Sequence, residues 1–191
     1  EHGKESVDLL VEKDYNVALK KAKHIDEYNE QRKDIDKQMT EEANVIVSKL
    51  ESQKHHSSIV LYDENWKKGV IGIVASRLTE IYFRPTVVLT RDGDLATGSA
   101  RSVTGFDVYA AIKHCRDLLM NFGGHTYAAG LTLSWDDIPL FRKKFQQYVE
   151  DHIAPELTEA TINLDAKLDF KDITKKLFND LKRFAPFGPE C

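Results

Sequence analysis

Along residues 14–52 apolar side chains return at helical spacing. Ile35, Met39, Ile46 and Leu50 form the stripe, with mixed charges between them and no Gly or Pro. The spacing predicts one connecting helix, about 57 Å long at ~1.5 Å per residue. Its stripe is thin, so it needs a partner. The period then changes. "SSIVLYDENW" reads as a short strand and a polar turn. "GVIGIVASRLTEIYF" returns to helical spacing, with Ile71, Val74, Leu78 and Ile81 on one face and Val70, Ile73 and Ala75 widening it. "RPTVVLT" and "LATGSARS" are strands joined at "RDGD", where Asp-Gly favours a hairpin turn.

The pattern continues with a helix over "FDVYAAIKHCRDLLMNF", with Val108, Ile112, Cys115 and Leu119 inward. "GHTYAAGLTLS" is then a strand, and "DDIPLFRKKFQQYVEDHI" a helix on Phe141, Phe145 and Tyr148 or Val149. "TINLDAKLDF" alternates cleanly as a strand, and "KDITKKLFNDLKRF" is a helix with Ile173, Leu177, Leu181 and Phe184 inward. Between 57 and 153 the order is β, α, β, β, α, β, α. The fold class is therefore α/β, a mixed sheet of about four to five strands with packed helices, preceded by the long helix.

Composition narrows the function. A formal net charge of -4 leaves no global positive field, so an anion site must be local. No apolar run approaches the roughly 18–20 residues of a membrane span, so no membrane partner is expected. The two cysteines, Cys115 and Cys191, form no disulfide framework, which fits a reducing, cytoplasmic setting. The chain starts without Met and stops at "PFGPEC". This reads as a segment of a longer protein.

Two stretches carry candidate chemistry. In "TGSARS" Thr97, Ser99 and Arg101 alternate onto one strand face, and Ala96, Gly98 and Ala100 onto the other. A hydroxyl and a guanidinium fork can hold a phosphate, while a solvent-facing strand with a surface Arg is the plainer reading. The small set would let a helix approach closely. In "FGGH" Gly123 and Gly124 follow "DLLMN" and read as a helix stop. They can equally expose backbone N–H groups to an oxyanion, with His125 beside them. "DGD" at 92–94 has the spacing of a metal carboxylate pair but sits where a turn is expected. "KHH" at 54–56 lacks acidic partners, so no metal site is expected in this chain. "DD" at 136–137 ahead of Pro139 marks a helix start. Trp66, with Lys67 and Lys68, either stacks a base or covers the core edge. No P-loop, Ser-His-Asp order or cysteine-pair zinc spacing occurs.

"NWKKGVIGIVASRLTEIYFRPTVVL", "GSARS" and "FGGHTYAAGLTL" resemble the DHHA1 domain of the RecJ family of single-stranded-DNA-specific exonucleases, within the DHH phosphoesterases. The resemblance implies three regions. Residues 1–55 would be a connector from a DHH domain missing from this chain. Residues 56–155 would be the substrate-binding DHHA1 domain, and 156–191 a strand and helix leading into a truncated OB-fold domain. It also implies a parent enzyme degrading single-stranded DNA 5′→3′, with Mn²⁺ or Mg²⁺ in the DHH domain. No "DHH" triplet occurs here, so this chain would bind substrate, carry no cofactor and be inactive alone. By the resemblance Ser99 and Arg101 hold the 5′ end, and Gly123, Gly124 and His125 lie near the scissile phosphate. Ala100 stands where many relatives have Gly. The partners implied are single-stranded DNA and the missing DHH and OB-fold domains. Two alternatives stay open: a DHH phosphodiesterase of short oligonucleotides or cyclic dinucleotides, and a non-catalytic nucleic-acid-binding module.

Overall fold

A computed structural model describes residues 2–51, 56–159 and 166–188. It divides into two units, 1–159 and 160–191. The first carries helix α1 (His2–Leu10), helix α2 (Tyr15–Glu51) and a five-stranded sheet. The strands are β1 (Ile59–Asp63), β2 (Thr86–Asp92), β3 (Leu95–Arg101), β4 (Leu119–His125) and β5 (Ala128–Ser134). Their spatial order is β1-β2-β3-β5-β4, with β1 parallel to β2 and every other pair antiparallel. Helix α3 (Ile71–Tyr82) makes the crossover that a parallel pair requires. Helix α4 (Val108–His114) precedes β4, and α5 (Ile138–His152) follows β5. The α/β mixed-sheet class expected from the pattern is the one observed.

Alternation along the strands splits the interior in two. Val60, Val87, Leu89, Ala96, Ala100, Leu131 and Leu133 face α4 and α5, where they meet Val108, Ile112, Phe141 and Phe145. Ile59, Leu61 and Val88 face the other way, onto Ile71, Val74 and Leu78 of α3 and Met39, Ala43 and Val47 of α2. Each large side chain removed from water contributes roughly 1.5–3 kcal/mol. The second half of α2 is thus part of the domain core. It is fixed there by Asp36, only 3% exposed, which accepts from Arg77 Nη2 at 2.7 Å and Nε at 3.1 Å.

Several sequence expectations need correction. The helix expected over 106–122 ends at His114, and Leu119–His125 is a strand. The single strand expected at 124–134 is the second arm of a hairpin, closed by Thr126 and Tyr127. Ile81 is exposed, because the buried face of α3 runs through Ala75 and Thr79 instead. Of the small set Ala96, Gly98 and Ala100, the two alanines lie in the cluster with α4 and α5. Gly98 makes room for neighbouring strands, since a Cβ there would lie 2.5 Å from Leu89 Cδ2 and 2.9 Å from Leu131 Cδ2. Helix α1 has no counterpart in the hydrophobic pattern described above.

In the second unit, residues 161–165 of the expected strand lie outside the described residues, as does Cys191. Residues 166–169 carry no strand pairing. Helix α6 (Lys175–Lys182) is capped by Thr174, whose hydroxyl accepts from Leu177 N–H at 3.2 Å. Ile173, Leu181 and Phe184, expected inward, are exposed.

Candidate functional site

Helix α3 covers β2 and β3 but stops short of β5 and β4. The face it leaves bare is built from the alternate residues of β5 and β4 that do not enter the core. On β5 these are Ala128, Gly130 and Thr132, while Ala129, Leu131 and Leu133 are buried beneath. Pairing extends the row through Ser99 across the sheet to Gly130 and Gly123. The next row runs from Arg101 through Ala128 to His125. Residues paired across strands project to the same face. Ser99, Arg101, Gly123 and His125 therefore share one surface, with Arg101 and His125 roughly 10 Å apart across two strand spacings.

The two glycines of "FGGH" differ. A Cβ on Gly123 would meet nothing within 4 Å, and one on Gly130 only Gly98 O at 3.9 Å. Both leave bare backbone facing open space. Gly124 has φ +153°, and a Cβ on it would lie 2.3 Å from Ala128 O and 2.5 Å from Ala129 Cα. Only glycine closes the hairpin there. The expected helix stop is thus a strand shelf with one glycine required by the backbone and one that leaves space. The shelf opens into a groove of about 360 Å³ lined by Lys68, Thr97, Asn121, Gly123, Gly130 and Thr132, among others.

Arg101 sits at the seam between the shelf and α3. Its Nε donates to Ser76 Oγ at 3.1 Å, and its Nη1 to Ser99 Oγ at 2.9 Å and Ala100 O at 2.8 Å. These acceptors are neutral. Among the described residues no carboxylate lies within ion-pair distance of Arg101, and Nη2 donates to none of them. Burial lowers its pKa from the ordinary guanidinium value, yet a group so basic stays charged. A partly desolvated cation held by neutral groups keeps a charge that no neighbour offsets. Two other bases nearby are matched. Lys68 pairs with Asp92 at 2.6 Å, and with Thr97 it holds that carboxyl below its usual range. Arg77 pairs with Asp36. His125 is exposed, and its Nδ1 accepts from Tyr127 N–H at 3.3 Å, which leaves Nε2 to face solvent.

The reading from sequence missed Ser76 and Gly72. Ser76 orients the guanidinium. Gly72 lets α3 approach it, because a Cβ there would lie 3.0 Å from Arg101 Nη2 and 3.1 Å from Ser99 Oγ. It also missed Gly130, which the alternation of "AAGLTL" could have found. Trp66 is only 5% exposed and donates to Glu42 Oε2 at 2.9 Å, so it covers the core and stacks no base. The "DGD" stretch is a hairpin turn with Gly93 at φ +64°.

Comparison with known proteins decides the family. The DHHA1 domain matches residues 42–151, more than half of the chain. This chain belongs to the DHHA1 family. It is 34% identical over 185 residues to the single-stranded-DNA-specific exonuclease RecJ of Bacillus subtilis, covering 96% of this chain and 23% of that protein. It is 32% identical over 174 residues to the RecJ of Escherichia coli, covering 87% of this chain and 30% of that protein. The DHHA1 chain described here thus spans about a quarter to a third of these relatives. Its fold matches RecJ of Thermus thermophilus in complex with Mg²⁺, with a TM-score of 0.81, 24% identity, and coverage of 97% of this chain and 28% of that one. The Mn²⁺ complex of the same protein gives a TM-score of 0.77 at 26% identity, again over 97% of this chain and 27% of that one. Among the described residues of this DHHA1 chain, no three His, Cys, Asp or Glu side chains gather to hold a metal. No described helix is long and apolar enough to cross a membrane.

Proposed function

We propose that this chain is the single-stranded-DNA-binding part of a RecJ-like 5′→3′ exonuclease. In this reading the connector region 1–55 follows a metal-bearing DHH domain, 56–155 binds the strand, and 156–191 leads toward an OB-fold domain. The observation that carries it is Arg101: a partly buried guanidinium with neutral partners only, beside Ser99, at the edge of a bare glycine shelf. Ser99 and Arg101 would take a terminal phosphate. Backbone at Gly123 and Gly130 would let the strand lie close, and His125 Nε2 would donate to a neighbouring phosphate oxygen. A shelf one strand pair wide, walled by α3, suits a single strand. Base identity would be read weakly, since the shelf offers backbone and hydroxyl groups more than base-specific pairs.

The Mg²⁺ or Mn²⁺ of the RecJ structures finds no ligand set among the described residues. In this reading no hydrolytic step is assigned to this chain. Its residues bind and orient phosphate, and water activation belongs to a metal-bearing domain outside it. The test is direct. Incubated with labelled single-stranded DNA and Mn²⁺, the chain is expected to retard the strand and leave it intact. Degradation that a Gly123 or His125 substitution abolishes would place the active centre here and contradict the proposal.

A further inference from the structure

We propose that the Tyr127 ring is a stacking platform for one base of the bound single strand, at the His125 end of the glycine shelf, an inference that rests on the strand-binding reading above.

Tyr127 sits where turn chemistry disfavours it. His125 pairs with Ala128, so Thr126 and Tyr127 are the whole turn of the β4–β5 hairpin. The favoured two-residue turns need positive φ at one or both central residues, which selects Gly, Asn or Asp. Neither Thr126 nor Tyr127 takes positive φ. The turn is held from outside instead. Ser102 N–H donates to Tyr127 O at 3.0 Å, and Val108 N–H donates to Thr126 O at 3.0 Å. Tyr127 N–H donates to His125 Nδ1 at 3.3 Å. The hairpin tip is thus tied to the segment between β3 and α4. A local rule broken and then compensated by the surroundings points to function.

These bonds fix the backbone of Tyr127 while its ring stays out of the core. The residue is 51% exposed. Its ring centre lies 6.5 Å from that of His125, with the planes at 74°. His125 ends the row that runs from Arg101 through Ala128, so the Tyr127 ring borders the shelf face. Meeting edge to face, the imidazole covers at most one side of the ring. Two aromatics at the far end of the strands are covered by cations of the chain itself. Arg91 lies over Trp135 at 5.3 Å, and Arg142 over Tyr62 at 5.0 Å. Among the described residues no cation lies over Tyr127.

The ligand class follows from this placement. Ser99, Arg101 and His125 offer donors to phosphate, and Tyr127 supplies a flat apolar surface that they lack. Every base has a π-face, so stacking on it is sequence-tolerant. A tyrosine has only two χ angles, and ordering it costs little. Inside a duplex both faces of a base are already covered by its neighbours. The platform therefore favours an unpaired strand.

The experiment measures fluorescence anisotropy of the 191-residue chain with a 5′-phosphorylated single strand. A matched set carries one abasic residue, moved a position at a time from the 5′ end. Tyr127→Ala is expected to weaken binding of the intact strand about tenfold, the contribution of one stacked base. Tyr127→Leu, apolar but without a ring, should lose the same factor, and Tyr127→Phe should retain parent affinity. At one abasic position the parent should fall to the level of Tyr127→Ala, and the substitution should then cost nothing more. Equal binding of the intact strand by the parent, Tyr127→Ala and Tyr127→Leu would overturn the proposal. So would an undiminished loss in Tyr127→Ala on every abasic strand, because the side chain would then act without a base. Arg101→Ala is titrated alongside. The strand-binding reading expects its loss to persist on all the abasic strands, so failure of that reading is told apart from failure of this one.

Discussion

Gly123 and Gly124 are adjacent, yet a methyl group on each has opposite consequences. On Gly124 it meets the hairpin's own backbone at 2.3 Å in a conformation that side chains avoid. Gly124→Ala is therefore expected to destabilise the fold by at least about 2 kcal/mol. On Gly123 the methyl meets nothing, so Gly123→Ala should stay within about 0.5 kcal/mol of the parent in denaturant unfolding. It should still weaken single-stranded DNA binding by occupying the shelf. Equal destabilisation by both would show that the shelf is only a structural feature. Gly72 gives a sharper separation. Alanine there improves helix propensity by up to about 1 kcal/mol, but its Cβ crowds Arg101 Nη2 and Ser99 Oγ. Gly72→Ala is expected to hold or raise the melting temperature while lowering affinity for a 5′-phosphorylated strand. A loss of stability with affinity unchanged would contradict this.

Among the elements, α2 has two halves with different fates. The half from Asp36 onward is welded to α3, because the buried Asp36 carboxylate depends on Arg77. Removing one partner of a buried pair costs roughly 3–5 kcal/mol, and the half-exposed Arg77 brings this down to about 2–3 kcal/mol. Urea unfolding of Arg77→Ala measures it, and a change under about 0.5 kcal/mol would mean the pair contributes nothing net. Limited proteolysis should cut the first half of α2 before residue 36 and spare the rest. The sequence stripe of Ile35, Met39, Ile46 and Leu50 made this seam legible, because a helix partner leaves a period. Strand β4 was not legible, for a physical reason. A bulge at Met120 inserts one residue, since Leu119 pairs with Leu133 while Asn121 pairs with Thr132. Leu119 and Phe122 thus reach the same core three residues apart, a spacing that mimics a helix. Pairing with β5 then overrides local propensity.

At the scale of the whole molecule, a chain of net charge -4 can bind a polyanion only through local sites, and among the described residues Arg101 is a cation on the shelf side with neutral partners. Alternation in "TGSARS" put Ser99 and Arg101 on one face without a structure. That they meet Gly123 and His125 depends on β5 lying between β3 and β4, a register no local pattern carries. Ser76 and Gly72 were hidden because helix α3 reads as a packing element. The central claim is that this surface holds the phosphate at the end of a single strand. Fluorescence anisotropy with matched 5′-phosphorylated and 5′-hydroxyl oligonucleotides tests it on the parent chain and Arg101→Ala. One charge-assisted interaction contributes roughly 1.5–3 kcal/mol, about tenfold or more in affinity. The account predicts that Arg101→Ala loses this factor for the phosphorylated strand and little for the hydroxyl strand. Equal losses for the two strands, or no loss for either, would contradict it.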